Sequence, residues 1–115
     1  TTIGDTLQNI LTLTFQPGDF KILRFQVLGI RTDDPNDKNS YAMLEFISGF
    51  FNAEGSGNLN QLGMQKIFQT WNSGTGQGGE PYYTGSFDTD LKWNLQARSI
   101  ASNMTMAWTI KVFGL

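Results

Sequence analysis

The chain has 115 residues, a length that suits one domain with its own core, so residues 1–115 are expected to form a single domain. Ten acids against eight Lys and Arg give a net charge of −2, and the cations are scattered singly, which argues against nucleic-acid binding through a basic patch. Cysteine and histidine are absent, which excludes disulfides, thiolate nucleophiles, Cys/His zinc sites and histidine acid–base catalysis.

Apolar and polar residues alternate over most of the chain, and this period of two is typical of half-buried β-strands. A weaker strand at 81–87 begins with a proline, which suits the edge of a sheet. In the run at 64–71, the alternation predicts Ile67 and Trp71 on one face and Lys66 and Phe68 on the other. The clear strands are predicted from LTLTF (11–15), FKILRFQVLGIR (20–31), SYAMLEFISGFF (40–51), MQKIFQTW (64–71), LKWNLQAR (91–98) and MTMAWTIKVF (104–113).

Polar and glycine-rich segments separate these runs, and no window shows a helical apolar stripe with caps. The last of them, SIASN at 99–103, is expected to close a final hairpin. The spacing predicts an all-β fold, namely a single antiparallel β-sandwich of jelly-roll type. No apolar run is long enough to span a membrane, and the opening TTIGDTLQ shows no signal-peptide pattern. The other separators are QPGD (16–19), DDPNDKN (33–39), NAEGSGNLNQ (52–61), NSGTGQGGE (72–80) and DTD (88–90).

The segment DDPNDKN offers hard oxygen ligands of the kind that calcium prefers, from Asp33, Asp34, Asn36 and Asp37. The EF-hand pattern is not met, because its glycine and its distal glutamate are missing. Asp, Asn and Pro are also the residues expected in the solvated loop of a hairpin. The hairpin loop is therefore the favoured interpretation, with a calcium site as the alternative, and no other cofactor is expected.

The remaining acids do not form a catalytic pattern. Asp88 and Asp90 flank a turn near Glu80, whereas a glycosidase needs two carboxylates that face each other across a cleft. Glu45 lies inside an apolar run, where an acid more often points to solvent on an alternating strand. Without His or Cys partners we predict that the protein is not an enzyme. The triplet at 103–105, NMT, is an N-glycosylation sequon that matters only in a secretory pathway.

Aromatic residues flank the glycine-rich loop at 72–80, which lacks the Lys-Ser/Thr of a phosphate-binding loop. Aromatic rings stack on the apolar faces of sugars while amides bond their hydroxyls, so this region is a candidate glycan site. The alternative is that the tryptophan belongs to the core and the tyrosines cover a sheet edge. The candidate residues are Trp71, Asn72, Gln77, Tyr82 and Tyr83.

The order FQVLGIRTDD, SYAMLEF, LKWNLQAR and WTIKV resembles a β-rich domain of virion structural proteins, such as phage tail fibres, tailspikes and minor capsid components. The resemblance covers roughly residues 22–50 and 91–113, and the middle third of the chain matches no family in this way. The matching residues are Arg31, Thr32, Asp33, Tyr41, Ala42, Leu44 and Trp108.

The resemblance implies a structural role at the surface of a virion. It implies self-association into a homo-oligomer, frequently a trimer in such domains, and docking on other virion proteins, without membrane or nucleic-acid partners. Some of these domains bind host glycans. The leading hypothesis is a non-enzymatic virion structural protein. The alternative is a carbohydrate-binding module or lectin that uses Trp71, Tyr82 and Tyr83 for attachment to host glycans.

Overall fold

The computed structural model describes residues 1–53, 58–76, 78–89 and 92–114, and these form β-strands and no helix. The strands lie in a five-stranded sheet of order β1-β8-β3-β4-β5 and a three-stranded sheet of order β2-β7-β6. All neighbouring strands are antiparallel. The strands are β1 (Thr2–Ile3), β2 (Gln8–Thr14), β3 (Phe20–Arg31), β4 (Tyr41–Ala53), β5 (Asn58–Asn72), β6 (Tyr83–Thr89), β7 (Lys92–Ala97) and β8 (Thr105–Gly114).

The two sheets form a sandwich, so the all-β sandwich prediction is confirmed. The chain crosses from one sheet to the other between β1 and β2, β2 and β3, β5 and β6, and β7 and β8. The prediction that residues 99–103 close a hairpin is therefore wrong, because β7 and β8 belong to different sheets. Alternation along each strand shows which side chains point inward, but it does not show which sheet a strand joins.

Aromatic side chains fill the space between the sheets. Phe25 and Phe46 are cross-strand partners whose rings stack at 4.5 Å, and Phe50 meets the edge of Trp93 from the opposite sheet at 4.9 Å. Offset and edge-on contacts of this kind add to the stabilisation from burial alone. The buried core cluster comprises Phe15, Phe25, Val27, Leu44, Phe46, Phe50, Leu59, Trp93 and Leu95.

The predicted inward positions of two strands are confirmed. In β4 the alternate residues from Ala42 onward are buried, and in β7 Trp93 and Leu95 are buried. Asn94, on the predicted polar face of β7, is also buried, and its Oδ1 accepts a hydrogen bond of 2.6 Å from the Thr12 hydroxyl. This bond to β2 satisfies one of the polar atoms that burial removes from water.

Strand β5 departs from the predicted alternation. It begins at Asn58, so the end of the predicted loop at 52–61 is strand. Its pairing with β4 skips Gly63 and Ile67, which are β-bulges. Because of the second bulge, Trp71 shares a face with Lys66, and the prediction that it shares one with Ile67 is wrong. A bulge turns the side chains that follow it to the opposite face of the sheet. The order of polar and apolar residues in the sequence does not show where this happens.

The two-residue strand β1 was not predicted, because it is too short to show alternation. It pairs with β8, opposite Met106 and Thr105. The buried Thr2 hydroxyl accepts a hydrogen bond of 2.9 Å from Nε1 of Trp108 and shares one of 2.7 Å with the Ser99 hydroxyl. These bonds join the start of the chain to the last strand.

The sheets differ in width, with five strands in one and three in the other. The three-stranded sheet covers only part of the inward side of the five-stranded sheet, and β5 extends beyond that cover. The opposite side of the five-stranded sheet, called the outer face here, carries the residues of β3 and β4 that alternate with the core positions. None of the described residues lies in a helix long and apolar enough to cross a membrane.

Candidate functional site

The acid-rich segment is the loop of the β3–β4 hairpin, as predicted, since Ile30 pairs with Tyr41 across its base. Arg31, the last residue of β3, ties the loop together. Its guanidinium donates to Asp33 at 2.9 Å and to Asp37 at 3.1 Å. The side chains of Arg31 and Asp37 are only 9% and 4% exposed, so this second ion pair is largely shielded from solvent.

Main-chain and hydroxyl groups also donate hydrogen bonds to the carboxylates of the loop. Asp37 accepts hydrogen bonds from the Ser40 hydroxyl at 2.5 Å and from the N–H groups of Asn39 and Ser40. The Ser40 hydroxyl is the main cause of the lowered pKa of Asp37. Arg31, followed by the N–H of Thr105, lowers the pKa of Asp33 to about 2.

These contacts give the predicted calcium ligands another role. Oδ1 of Asp34 accepts the N–H of Asn36, which is an Asx turn rather than a ligand arrangement. Within the described ranges no group of three or more acids is placed to hold a metal ion. The hairpin interpretation explains every contact of Asp33, Asp34 and Asp37 described above, and the calcium site stays a prediction.

The glycan site stays a prediction, and the structure brings only some of its described residues together. Tyr82 and Tyr83 line a groove of about 320 Å³, which Trp71 does not line. The Asn72 amide donates to the main-chain oxygen of Asn39 at 2.9 Å. Gln77 lies outside the described residues.

Tyr82 and Tyr83 themselves differ in environment. Tyr83 packs edge-on against Trp108 at 5.9 Å, and burial raises the pKa of its hydroxyl. Tyr82 is 48% exposed, and the guanidinium of Arg98 lies 5.3 Å from the centre of its ring. The groove also contains Glu80, two residues before Tyr82, and Gln69, which the sequence did not connect with Tyr82 because it lies on β5.

The middle of the outer face is polar. Oε2 of Glu45 accepts hydrogen bonds from Nε2 of Gln26 at 2.6 Å and from the Arg24 guanidinium at 2.9 and 3.1 Å. Gln26 and then Arg24 lower the pKa of Glu45. A general acid of a glycosidase needs the opposite shift, so Glu45 lacks the electrostatics of that role.

Apolar side chains flank this polar centre on both sides. Towards one end of the sheet, Leu28, Met43 and Phe68 line a groove of about 240 Å³ beside Glu45. Towards the other end, a shallow groove of about 420 Å³ is lined by five large apolar residues. These are Phe20, Ile22, Ile47, Leu62 and Met64.

The sequence contained a signal for this apolar surface. In FKILRFQVLGIR, the residues Ile22, Leu28 and Ile30 are apolar although they lie on the face that carries Arg24 and Gln26. A strand with one solvated face should be polar at those positions. Groups of exposed apolar side chains often mark interaction sites, so the outer face is the principal candidate site.

Comparisons with known proteins give a likeness of fold. The structure is similar to part of the crystal structure of the tailspike protein of Acinetobacter baumannii phage AM24, with a TM-score of 0.57 and 12% sequence identity. The similarity covers 100% of this chain and 24% of the tailspike chain, so this chain spans about a quarter of that protein's length. No protein-family model matches the sequence, and no curated protein matches it significantly.

Proposed function

We propose that the chain is a non-enzymatic structural domain of a phage virion, in a tail fibre, tailspike or capsid-decoration protein. It associates there with copies of itself or with other virion proteins. The observation that carries the proposal is the outer face, where two apolar grooves flank a polar centre in which Arg24 and Glu45 form an ion pair. The likeness of fold to a phage tailspike supports the choice of a virion as the setting.

The composition of the outer face is that of a protein interface. Interface cores are depleted in charge and enriched in aromatic residues and Met. On the outer face, Phe20, Phe68 and Met43 supply apolar area. The charges of Arg24 and Glu45 neutralise each other, which leaves Lys111 as the cation beside Gln26. Full burial of a Phe or Leu side chain contributes about 1.5–3 kcal/mol, so covering several half-exposed ones is a substantial driving force.

The acids support a non-catalytic role. Asp33, Asp37 and Glu45 all have lowered pKa values, because each accepts hydrogen bonds from cationic or neutral donors. Such carboxylates stay ionised and hydrogen-bonded at neutral pH. A glycosidase that uses two carboxylates would need one carboxyl group that holds a proton there.

The proposal is tested on phage particles that encode the chain. Mass spectrometry of purified particles and immunogold electron microscopy should find it in stoichiometric amounts at the particle surface. Phe20→Lys, which places a charge on the outer face, should lower incorporation, whereas Thr14→Lys on the three-stranded sheet should not. Particles that lack the protein after stringent purification would overturn the proposal.

A second candidate function is binding of a host glycan in the Tyr82 groove. An exposed aromatic ring beside an amide and two opposite charges, from Gln69, Glu80 and Arg98, has the chemistry that sugars require. This function is compatible with a structural domain at a virion surface.

A further inference from the structure

The free edge of β5 is long and carries little charge. The strand has 15 residues and is last in the order of its sheet, and in the described part of the chain only β4 pairs with it. Natural edge strands are usually blocked by charges, prolines or β-bulges, and of these β5 has one charge and its two bulges. In NLNQLGMQKIFQTWN, Lys66 is the one charged residue, and there is no proline.

Large apolar side chains are concentrated on this strand. Leu62, Met64, Ile67, Phe68 and Trp71 are each between 40% and 49% exposed. A free edge with such side chains is a ready template for pairing with another strand.

The two bulges of β5 lie symmetrically about Gln65. Gly63 is two residues before it and Ile67 is two residues after it. On the outer face, Leu62, Gln65 and Phe68 pair with Gly49, Ile47 and Glu45 of β4.

The inward residues of β5 follow the same symmetry. Met64 and Lys66 lie one residue on either side of Gln65, and Gln61 and Gln69 lie four residues on either side. Residues at equal distances before and after Gln65 therefore point to the same face of the sheet.

We propose that β5 pairs antiparallel with β5 of a second copy of this chain, around a twofold axis at Gln65. This register sets Leu62 opposite Phe68, Met64 opposite Lys66, and Gln61 opposite Gln69. Both members of every pair then lie on the same face, and the bulge at 63 meets the bulge at 67. The two five-stranded sheets become one continuous sheet of ten strands.

Other registers lose this match. A one-residue slip sets Leu62 opposite Gln69, which lies on the other face, and an axis moved to Lys66 sets Met64 opposite Phe68, again on opposite faces. Register is specified where such slips expose apolar residues or bury polar ones. Because the positions that match belong to the same strand, the partner that fits this edge is a second copy, in an isologous dimer.

This dimer rests on the proposed function, because it is one specific form of the proposed self-association. It is tested on the purified chain. Its failure can be separated from that of the proposed function. A protein that is monomeric yet present in particles refutes the β5 pairing alone, and a dimer that is absent from particles refutes the virion role alone.

Cysteine cross-linking tests the register directly, because the chain has no cysteine of its own. Opposed Cα atoms in an antiparallel pair are about 4.5–5.5 Å apart, which lies within the range that a disulfide spans. Under mild oxidation, Gln65→Cys should form a covalent dimer as its main product. Thr14→Cys, at an exposed position on the edge strand β2, should stay monomeric.

A mixed experiment adds the direction of pairing. Under the same oxidation, an equimolar mixture of Leu62→Cys and Phe68→Cys should form disulfide-linked dimers. Either variant alone should not, because residue 62 and its copy would be roughly 20 Å apart, at about 3.4 Å for each of six residues.

The mass of the wild type by light scattering completes the test. We expect a dimer that Leu62→Lys and Phe68→Lys weaken at least tenfold without loss of the β-sheet circular dichroism signal. A wild-type monomer at high concentration, or an oligomer in which Gln65→Cys cross-links no better than Thr14→Cys, would overturn the inference.

Discussion

Trp108 lies directly over Gly29, its cross-strand partner, so that a Cβ added at position 29 would be 2.6 Å from Cζ3 of the indole. The same indole donates to the Thr2 hydroxyl and meets the ring of Tyr83 edge-on. The absence of a side chain at Gly29 therefore allows Trp108 to connect the start of the chain, β6 and β8 at one point.

Gly29→Ala should destabilise the protein by about 1–3 kcal/mol, the usual cost of overpacking a well-filled site. The measurement is urea denaturation followed by tryptophan fluorescence. Gly114→Ala is the matched control, because Gly114 is also in β8's sheet and an added Cβ would find no atom within 4 Å. Equal stabilities of the two variants would show that Trp108 does not depend on Gly29.

The hairpin loop should make the stability of the protein depend on pH in the acid range. The folded pKa of Asp33 is about 2, below its ordinary value of 3.8, so its contribution is fully present above about pH 4 and is lost as the pH falls towards 2. Asp37 and Glu45 shift in the same direction. We expect Asp33→Asn to be less stable than the wild type at pH 7 and the difference to shrink towards pH 2. A difference that is independent of pH would contradict this assignment.

Calcium should have no effect on the loop. Arg31 already forms ion pairs with Asp33 and Asp37, and neighbouring N–H and hydroxyl groups bond the same carboxylates. A ligand that binds the folded state raises the melting temperature, so the test is thermal melting in millimolar calcium and with a chelator. We expect identical curves. A rise that Asp34→Asn abolishes would favour the calcium site.

The sequence predicted the sandwich and most strands, because burial of one face imposes a period of two on residues such as Ala42 and Leu44 in β4. It did not predict β1, which is held by the hydrogen bonds of Thr2 rather than by a pattern. It misplaced Trp71, because the bulge at Ile67 leaves no trace in residue type. The position of a β-bulge depends on the pairing with the neighbouring strand, which lies elsewhere in the chain.

In the candidate sites, too, features set by local sequence were predictable and features set by distant residues were not. The hairpin loop was predictable, since Asp34 and Asn36 have local turn preferences. The outer face was visible only as misplaced apolar residues such as Ile22. The groove at Tyr82 was not predictable as a set, because Gln69 and Arg98 are brought to it by strands and segments that are distant in sequence.

Burial sets the role of Tyr83, so Tyr83→Phe should be tolerated. Its hydroxyl has no hydrogen-bond partner among the described residues, and its ring contact with Trp108 needs no hydroxyl. We expect a melting temperature equal to or above that of the wild type, measured by circular dichroism. A clear loss of stability would reveal a partner for the hydroxyl.

Any glycan binding should depend on Tyr82 and not on Trp71. Tyr82 exposes its ring inside a groove with Gln69 and Arg98, whereas Trp71 does not line that groove. Tyr82→Ala should weaken binding about tenfold, since loss of a stacking contact of about 1.4 kcal/mol has that effect. Titration calorimetry with hits from a glycan array measures it, with Trp71→Ala as the matched aromatic control. Equal losses in both variants would restore the site predicted around the glycine-rich loop, and a wild type that binds no glycan would reject the second function.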